Sequence, residues 1–279
     1  MGFGVDYFDQ QLASTGALKN QLNEANFATK AQALNSVIAV CFSSLSLYVK
    51  QLSSVGQQFN AVFPDIVRQL FTPDTQVKRL AHVCLSLHGD ENPDVVLLCV
   101  NALHKDLVDV NPLHRGVAIR TICGMKVSEV SEHALNALRK GSVDSSVYVR
   151  KSAAVAISKY MTTSIDFEVN DLLPILDRLL SDYEPSVVSA AVASLWNLIQ
   201  VTGGGLEFLH PHFRRQVSVL GSLDYVGQYA ALRVLQMYSL NFFAPHSTSK
   251  DFSSFLSAVE ELVHFSSEYE GLCSHCLHL

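Results

Sequence analysis

Little in this sequence supports catalysis, a membrane span or a nucleic-acid interface. Only 16% of the 279 residues are charged, and 20 Lys and Arg face 26 Asp and Glu, for a formal net charge of −6. Neutralising a phosphate backbone takes a dense field of cations, so nucleic acid is not an expected partner. The longest apolar stretch, Val37 to Val49, is interrupted by Ser43, Ser44 and Ser46 and is shorter than the ~20 residues a bilayer-spanning helix needs. No basic segment leads into an apolar run near Met1, as a secretory signal requires, and Asp6 stands where a myristoylation motif has Ser or Thr. With 48% apolar side chains the chain can bury a large core, and cytosol is its expected compartment. The six cysteines fit that compartment. Cys41, Cys84, Cys99 and Cys123 sit inside apolar helical patterns as small hydrophobes, and no disulfide is expected.

Catalytic groupings are equally scarce. Gly203-Gly204-Gly205 follows no strand and precedes no Gly-Lys-Ser, so it is a connector and not a phosphate loop. Cys273, His275, Cys276 and His278 are the one cluster of metal-ligand residue types. Side chains so close together at a terminus cannot surround an ion tetrahedrally without strain or a second chain, and zinc is not expected. His210 and His212 flank Pro211 ahead of a helix and read as a capping turn, while Glu260 and Glu261 belong to a solvated helix face. No nucleophile, base and orienting acid stand at readable spacing. The expectation is a protein without catalytic residues, cofactor or metal.

What is present is a repeat. Lys78, Arg115, Arg150, Val188 and Gly227 follow one another at intervals of 37, 35, 38 and 39 residues. Three positions after each stands an alanine, Ala81, Ala118, Ala153, Ala191 and Ala230. Seven positions after each stands an aliphatic residue, Leu85, Ile122, Ile157, Leu195 and Val234. A period of this length with helical internal spacing predicts stacked helix pairs, an all-α superhelix of the HEAT/armadillo kind. One small side chain per repeat lets the neighbouring helix approach, and the aliphatic one turn later fills the adjoining core.

The 3.6-residue period predicts helices over 64–71, 74–87, 93–108, 112–125, 128–140, 145–161, 171–180, 185–201, 211–220, 224–240 and 252–269. Pro73, Pro93, Pro112, Pro185 and Pro211 mark first turns. Asp109, Asp144 and Asp182 stand six residues before Arg115, Arg150 and Val188, where a carboxylate can cap the following helix. For the first two, an Asp–Arg ladder between repeats and a solvated turn aspartate beside a surface arginine are both open readings.

The particular residues then narrow the reading. Asn92-Pro93-Asp94-Val95-Val96, Lys105-Asp106, Asp109-Val110-Asn111-Pro112 and Arg115-Gly116-Val117-Ala118-Ile119-Arg120 resemble the beta-type large subunit of clathrin-adaptor complexes. So do Ser146-Val147-Tyr148-Val149-Arg150-Lys151-Ser152-Ala153-Ala154, Asp182-Tyr183-Glu184-Pro185 and Asp224-Tyr225-Val226-Gly227-Gln228. Tyr7-Phe8-Asp9, Leu18-Lys19, 30–38 and Leu209-His210 to Phe213-Arg214-Arg215 look most like the beta subunit of the third adaptor complex. The resemblance covers about Asp6 to Pro245.

It implies an adaptin trunk, a frame that pairs with a second large, a medium and a small adaptor subunit to sort cargo into vesicles. It also implies cytoplasmic location, peripheral on Golgi or endosomal membranes, with recruitment by an Arf-type GTPase. In this family the GTPase contacts a helix in the position of 93–108, where Leu97, Val100 and Asn101 match, although an amphipathic helix would place two of the three in its core. The domains implied are an N-terminal arm and first helix (1–30), trunk repeats (31–245) and a truncated final repeat with tail (246–279). Lys19 and Lys30 stand nearly alone where lipid-binding members carry lysine clusters, so direct lipid contact is not expected. The segment 41–58 exceeds the family pattern, and the family trunk runs well past 279 residues, which makes this chain an expected N-terminal fragment. A nuclear-transport receptor or phosphatase scaffold, sharing the fold alone, is the alternative.

Overall fold

The computed structural model describes residues 15–43, 62–89, 93–164, 167–243 and 249–266, and among these every regular element is helical. The helices are α1 (Thr15–Asn23), α2 (Phe27–Ser43), α3 (62–68), α4 (Thr75–His88), α5 (Pro93–Asp106), α6 (Pro112–Ile122) and α7 (Ser131–Gly141). There follow α8 (Val147–Thr163), α9 (Val169–Leu180), α10 (Pro185–Thr202), α11 (Phe213–Val219), α12 (Tyr225–Phe242) and α13 (Lys250–Ser266). The 41–58 segment enters α2 as far as Ser43; its remainder, the Tyr7-Phe8-Asp9 opening and the Cys273–His278 cluster lie outside the described residues.

Local chemistry explains the helix ends. Asp74 caps α4 by accepting the Val77 N–H at 2.8 Å, and Asp224 caps α12 by accepting that of Gly227 at 2.9 Å. Pro93, Pro112 and Pro185 open α5, α6 and α10, where a missing N–H costs nothing. Pro73 and Pro211 lie just outside α4 and α11, so those two prolines precede their helices instead of opening them. α9 begins two residues earlier than its pattern suggests, and Pro174 lies inside it on the exposed side. There its missing N–H leaves the Asn170 carbonyl without its helical donor. α10 ends at Gly203, whose φ of 66° places it in the left-handed region that glycine enters without steric cost.

The chain divides into two compact units, one formed by residues up to Ala137 with 163–165, the other by 138–162 and the residues from 166 on. In the first, α2 packs on α1 and α4, and α6 packs on α4 and α5. Gln69 is buried there, its amide donating to the carbonyls of Leu22 and Asp65, both at 3.1 Å, which ties α1 to α3. In the second, α10 lies between α9 and α12, and α11 packs on α12 and α13.

The repeated small residues are where the second helix of each pair is most deeply buried. Ala81, Ala118, Ala153, Ala191 and Ala230 are each at most 3% exposed, and their aliphatic companions Leu85, Ile122, Ile157, Leu195 and Val234 at most 1%. At Gly227 the approach reaches the backbone. A Cβ there would stand 2.8 Å from the Cα of Ser189 and closer still to its side chain, so α10 and α12 meet at a spot that admits no side chain. The Ser189 hydroxyl uses that proximity to accept the Asp224 N–H at 3.1 Å.

Candidate interaction surface

The turns between paired helices are built alike. Asp109, Asp144 and Asp182 each accept a backbone N–H two residues on, from Asn111, Ser146 and Glu184, at 2.8–2.9 Å. These Asx turns order the loop without capping the helix that follows, contrary to the sequence expectation. The cap of α6 comes from Asn111, which accepts the Leu113 N–H at 3.0 Å. Asp109 is held below the usual carboxylate range, first by the Asn111 N–H, against the effect of burial, with help from His114 and Lys78.

Arginine then ties turn to helix. Arg115 donates to the Asp109 and Val110 carbonyls at 2.8 and 3.0 Å, and Arg150 to those of Asp144 and Ser145 at 3.0 and 3.2 Å. Arg150 also grips the Asp182 carboxylate of the next pair with Nε and Nη2, at 2.6 and 3.2 Å, both side chains being almost fully buried. Between the two open readings of this arginine, the ladder is the one observed. The Asp182 carboxylate raises the Arg150 guanidinium pKa further above its ordinary value, and the Tyr183 ring lies 5.0 Å from it.

The first unit joins its repeats through a different buried group. Lys78 reaches one oxygen of Asp106 at 2.5 Å and His82 Nε2 meets the other at 3.0 Å. All three side chains are at most 10% exposed. Among the described residues the His82 Nδ1 has no hydrogen-bond partner.

α5 separates its faces by helical spacing. Val96, Cys99, Ala102, Leu103 and Asp106 point inward, and burial drives the Cys99 thiol up to about 11, which leaves it inert. Leu97 is 42% and Leu98 77% exposed, Asn101 is exposed, and Val100 is half-buried on the flank. The two leucines lie outside the core stripe. Leu98, the most exposed of them, was not singled out by sequence reasoning, though its place four residues after Asp94 and three before Asn101 puts it on the polar face. Val108 and Val110, in the turn that follows, extend the exposed apolar surface.

A second feature also escaped sequence reasoning because its signal is an absence. The second helices α4, α6, α8, α10 and α12 together hold eight of the chain's 20 cations and none of its 26 carboxylates. The first helices α5, α7 and α9 all carry acids.

The remaining candidates have structural partners. His210 Nδ1 meets the Tyr238 hydroxyl at 2.5 Å and His212 Nε2 meets Asp177 at 2.9 Å, so the two histidines serve separate contacts. Gly203 and Gly205 both adopt positive φ in an exposed connector, and Glu260 is exposed on α13.

Residues 10–269 match the family described as the adaptin N-terminal region. The chain is 30% identical over 231 residues to the AP-3 complex subunit beta of Schizosaccharomyces pombe, covering 82% of this chain and 30% of that one. It is 34% identical over 179 residues to the human AP-1 complex subunit beta-1, covering 64% and 18%. A structure of the full-length AP-3 complex in an intermediate open conformation, itself a homology model, contains a chain that superposes with a TM-score of 0.62 at 26% identity. That match covers 91% of this chain and 44% of the other. The chain spans less than a third of the length of these curated relatives.

Proposed function

This chain belongs to the adaptin N-terminal region family, and from that membership we propose that it is the trunk of a beta-type large subunit in a vesicle-coat adaptor complex, most like that of AP-3. The observation that carries the proposal is the likeness to a chain of the AP-3 complex along 91% of the sequence, in identity and in fold together. Its task is to hold other proteins in place, without catalysis and without a cofactor. The partners are a second large, a medium and a small adaptor subunit, and the site of action is the cytoplasmic face of Golgi or endosomal membranes, reached through the complex. Buried alanines and buried ion pairs suit that task, because a frame that positions partners must resist deformation between its repeats.

Within this reading, an Arf-type GTPase docks on the exposed face of α5 at Leu97, Asn101 and the flanking Val100, with Leu98 beside them. Two leucines in water on one helix face are a cost that a partner relieves. Co-expression of the chain with medium and small adaptor subunits of AP-3 type, followed by size-exclusion chromatography, tests the assembly: one joint peak supports it, and separate elution contradicts it. Leu97→Glu with Leu98→Glu tests the docking face. The variant is expected to keep the wild-type thermal unfolding and to lose pull-down by the GTP-loaded GTPase, whereas retained pull-down removes α5 from the interface.

A further inference from the structure

A cation also recurs with the repeat on the first helices. Arg68, Lys105, Lys140 and Arg178 stand ten residues before Lys78, Arg115, Arg150 and Val188, and Arg215 stands twelve before Gly227. All five are exposed. Arg68 pairs with Asp65 on its own helix at 3.1 Å. The other four meet no carboxylate within ion-pair distance among the described residues. The helix dipole explains part of this row, since Lys105, Lys140 and Arg178 lie in the last turns of α5, α7 and α9, where a cation is favoured. It does not explain Arg215, which lies in the first turn of α11, the end that disfavours a cation. Arg215 nevertheless joins the row in space. Its side chain reaches back to the carbonyls of Leu180 and Asp182, at the end of α9 and in the turn that follows. Arg178 reaches back in the same way to the Ser142 hydroxyl, just past the end of α7, at 3.5 Å.

Lys140, Arg178 and Arg215 all belong to the second unit. Their helices are consecutive neighbours, tied also by Arg139 with Asp171 at 2.7 Å and by His212 with Asp177 at 2.9 Å. The acids of this edge are engaged apart from the row. Asp171 and Asp177 serve those two contacts, Asp182 is buried against Arg150, and Asp144 accepts the Ser146 N–H. Glu184, half-buried at the start of α10, enters no ion pair among the described residues. Val143 and Tyr183, next in sequence to the groups that Arg178 and Arg215 reach, are 59% and 75% exposed. Packed helices stand about 8–10 Å apart, so the row offers one cation at each such step. A chain in the polyproline II conformation returns to the same face every third residue, after about 9 Å. Its side chains can therefore meet the cations one for one, while a residue between them covers exposed apolar carbon.

We propose that the edge formed by Lys140, Arg178 and Arg215 binds an acidic segment of a partner protein in polyproline II conformation, with a carboxylate at every third position. An anionic bilayer fits this edge less well. Its charge is continuous and meets the turn carboxylates Asp144, Asp182 and Glu184 along with the cations, whereas a segment places its charges only where the cations stand. This edge is separate from the α5 face and does not depend on which GTPase or subunits the chain meets.

The test uses the full 279-residue chain and two fluorescein-labelled peptides of one composition, read by fluorescence anisotropy. Glu-Pro-Val-Glu-Pro-Val-Glu spaces its acids by three, and its prolines favour the required conformation; Pro-Val-Glu-Glu-Glu-Pro-Val gathers them together. Saturable binding of the spaced peptide is expected at 50 mM salt, at least about fivefold tighter than the gathered one and weakened at 200 mM as screening grows. Lys140→Gln with Arg178→Gln is expected to weaken it at least about fivefold. Lys140→Gln alone gives a smaller loss at an unchanged thermal unfolding midpoint, because this lysine bonds to no described residue. Glu184→Gln strengthens binding, and Lys126→Gln, outside the row, leaves it unchanged. Absence of binding by the wild-type chain at 50 mM salt overturns the proposal. So does equal binding of the two peptides, undiminished binding by the double variant, or binding to phosphatidylserine vesicles through these cations in place of the peptide.

Discussion

The two units differ most at the two ends of the repeat series, although the second also carries a buried ion pair of its own, Arg150 with Asp182. In the first, the repeat's reference position is Lys78, a buried cation locked to Asp106 beside His82. In the second it ends as Gly227, a residue with no side chain, pressed against Ser189. A buried ion pair holds only while both partners are present, since each charge has been taken out of water to meet the other. A glycine contact holds by fit, and fails when volume is added. One position of one repeat therefore serves either by charge or by emptiness, and the two should break under different substitutions.

The largest effect is expected at the ion pair. Asp106→Ala strands Lys78 in the core and should cost about 3–5 kcal/mol by denaturant unfolding. Adding Lys78→Met should recover much of that loss, because an apolar chain of similar length needs no counter-charge. If the double variant is no more stable than the single one, the pair is not what joins these repeats.

At the small-residue contacts of the second unit the sensitivity is to volume. Gly227→Ala must push α12 away from the Ser189 backbone, at a cost of about 1–3 kcal/mol, and a partial rescue by Ser189→Gly would locate the strain. Ala153→Leu overpacks α8 and falls in the same range of about 1–3 kcal/mol; an unchanged denaturation midpoint would show that this methyl group has room beside it.

The smallest expected effect concerns the Asx turns, which both units share. The folded-state pKa of Asp109 is depressed, so its contribution is present above the ordinary carboxylate pKa of about 4 and fades as pH falls through the lowered value. Asn at 109 still accepts the Asn111 N–H but does not titrate. Asp109→Asn should therefore flatten the loss of stability below about pH 4 by a fraction of a kcal/mol, compared with wild type in parallel acid unfolding curves. Identical slopes would show that the turn is indifferent to the charge.

The helical nature of the chain was legible because alanine and aliphatic residues recur with both a 3.6-residue and a 37-residue rhythm, and the two rhythms agree. Helix ends were legible where one residue decides them, as at Pro112 and Pro185, and illegible where two candidates compete. Asp109 and Asn111 both qualify as caps by residue type, and only the backbone path shows that Asp109 serves the turn and Asn111 the helix. Pairings between repeats were hidden for a plainer reason: Lys78, His82 and Asp106 lie 28 and 24 residues apart in sequence, and nothing local announces their meeting. On α5, the expectation that two of Leu97, Val100 and Asn101 sit in the core failed because the buried stripe follows Val96, Cys99 and Leu103 instead. The acid-free second helices became visible only once helix boundaries were known, since the pattern consists of residues that are missing.

The account's central claim, that this chain is an adaptor trunk whose surfaces serve assembly, is tested most directly by affinity purification of the tagged chain from its native cells, with its companions identified by mass spectrometry. Recovery of a second large, a medium and a small adaptor subunit in equal proportion is the predicted result. Recovery of a nuclear GTPase or a phosphatase catalytic subunit, with no adaptor subunit present, would contradict it.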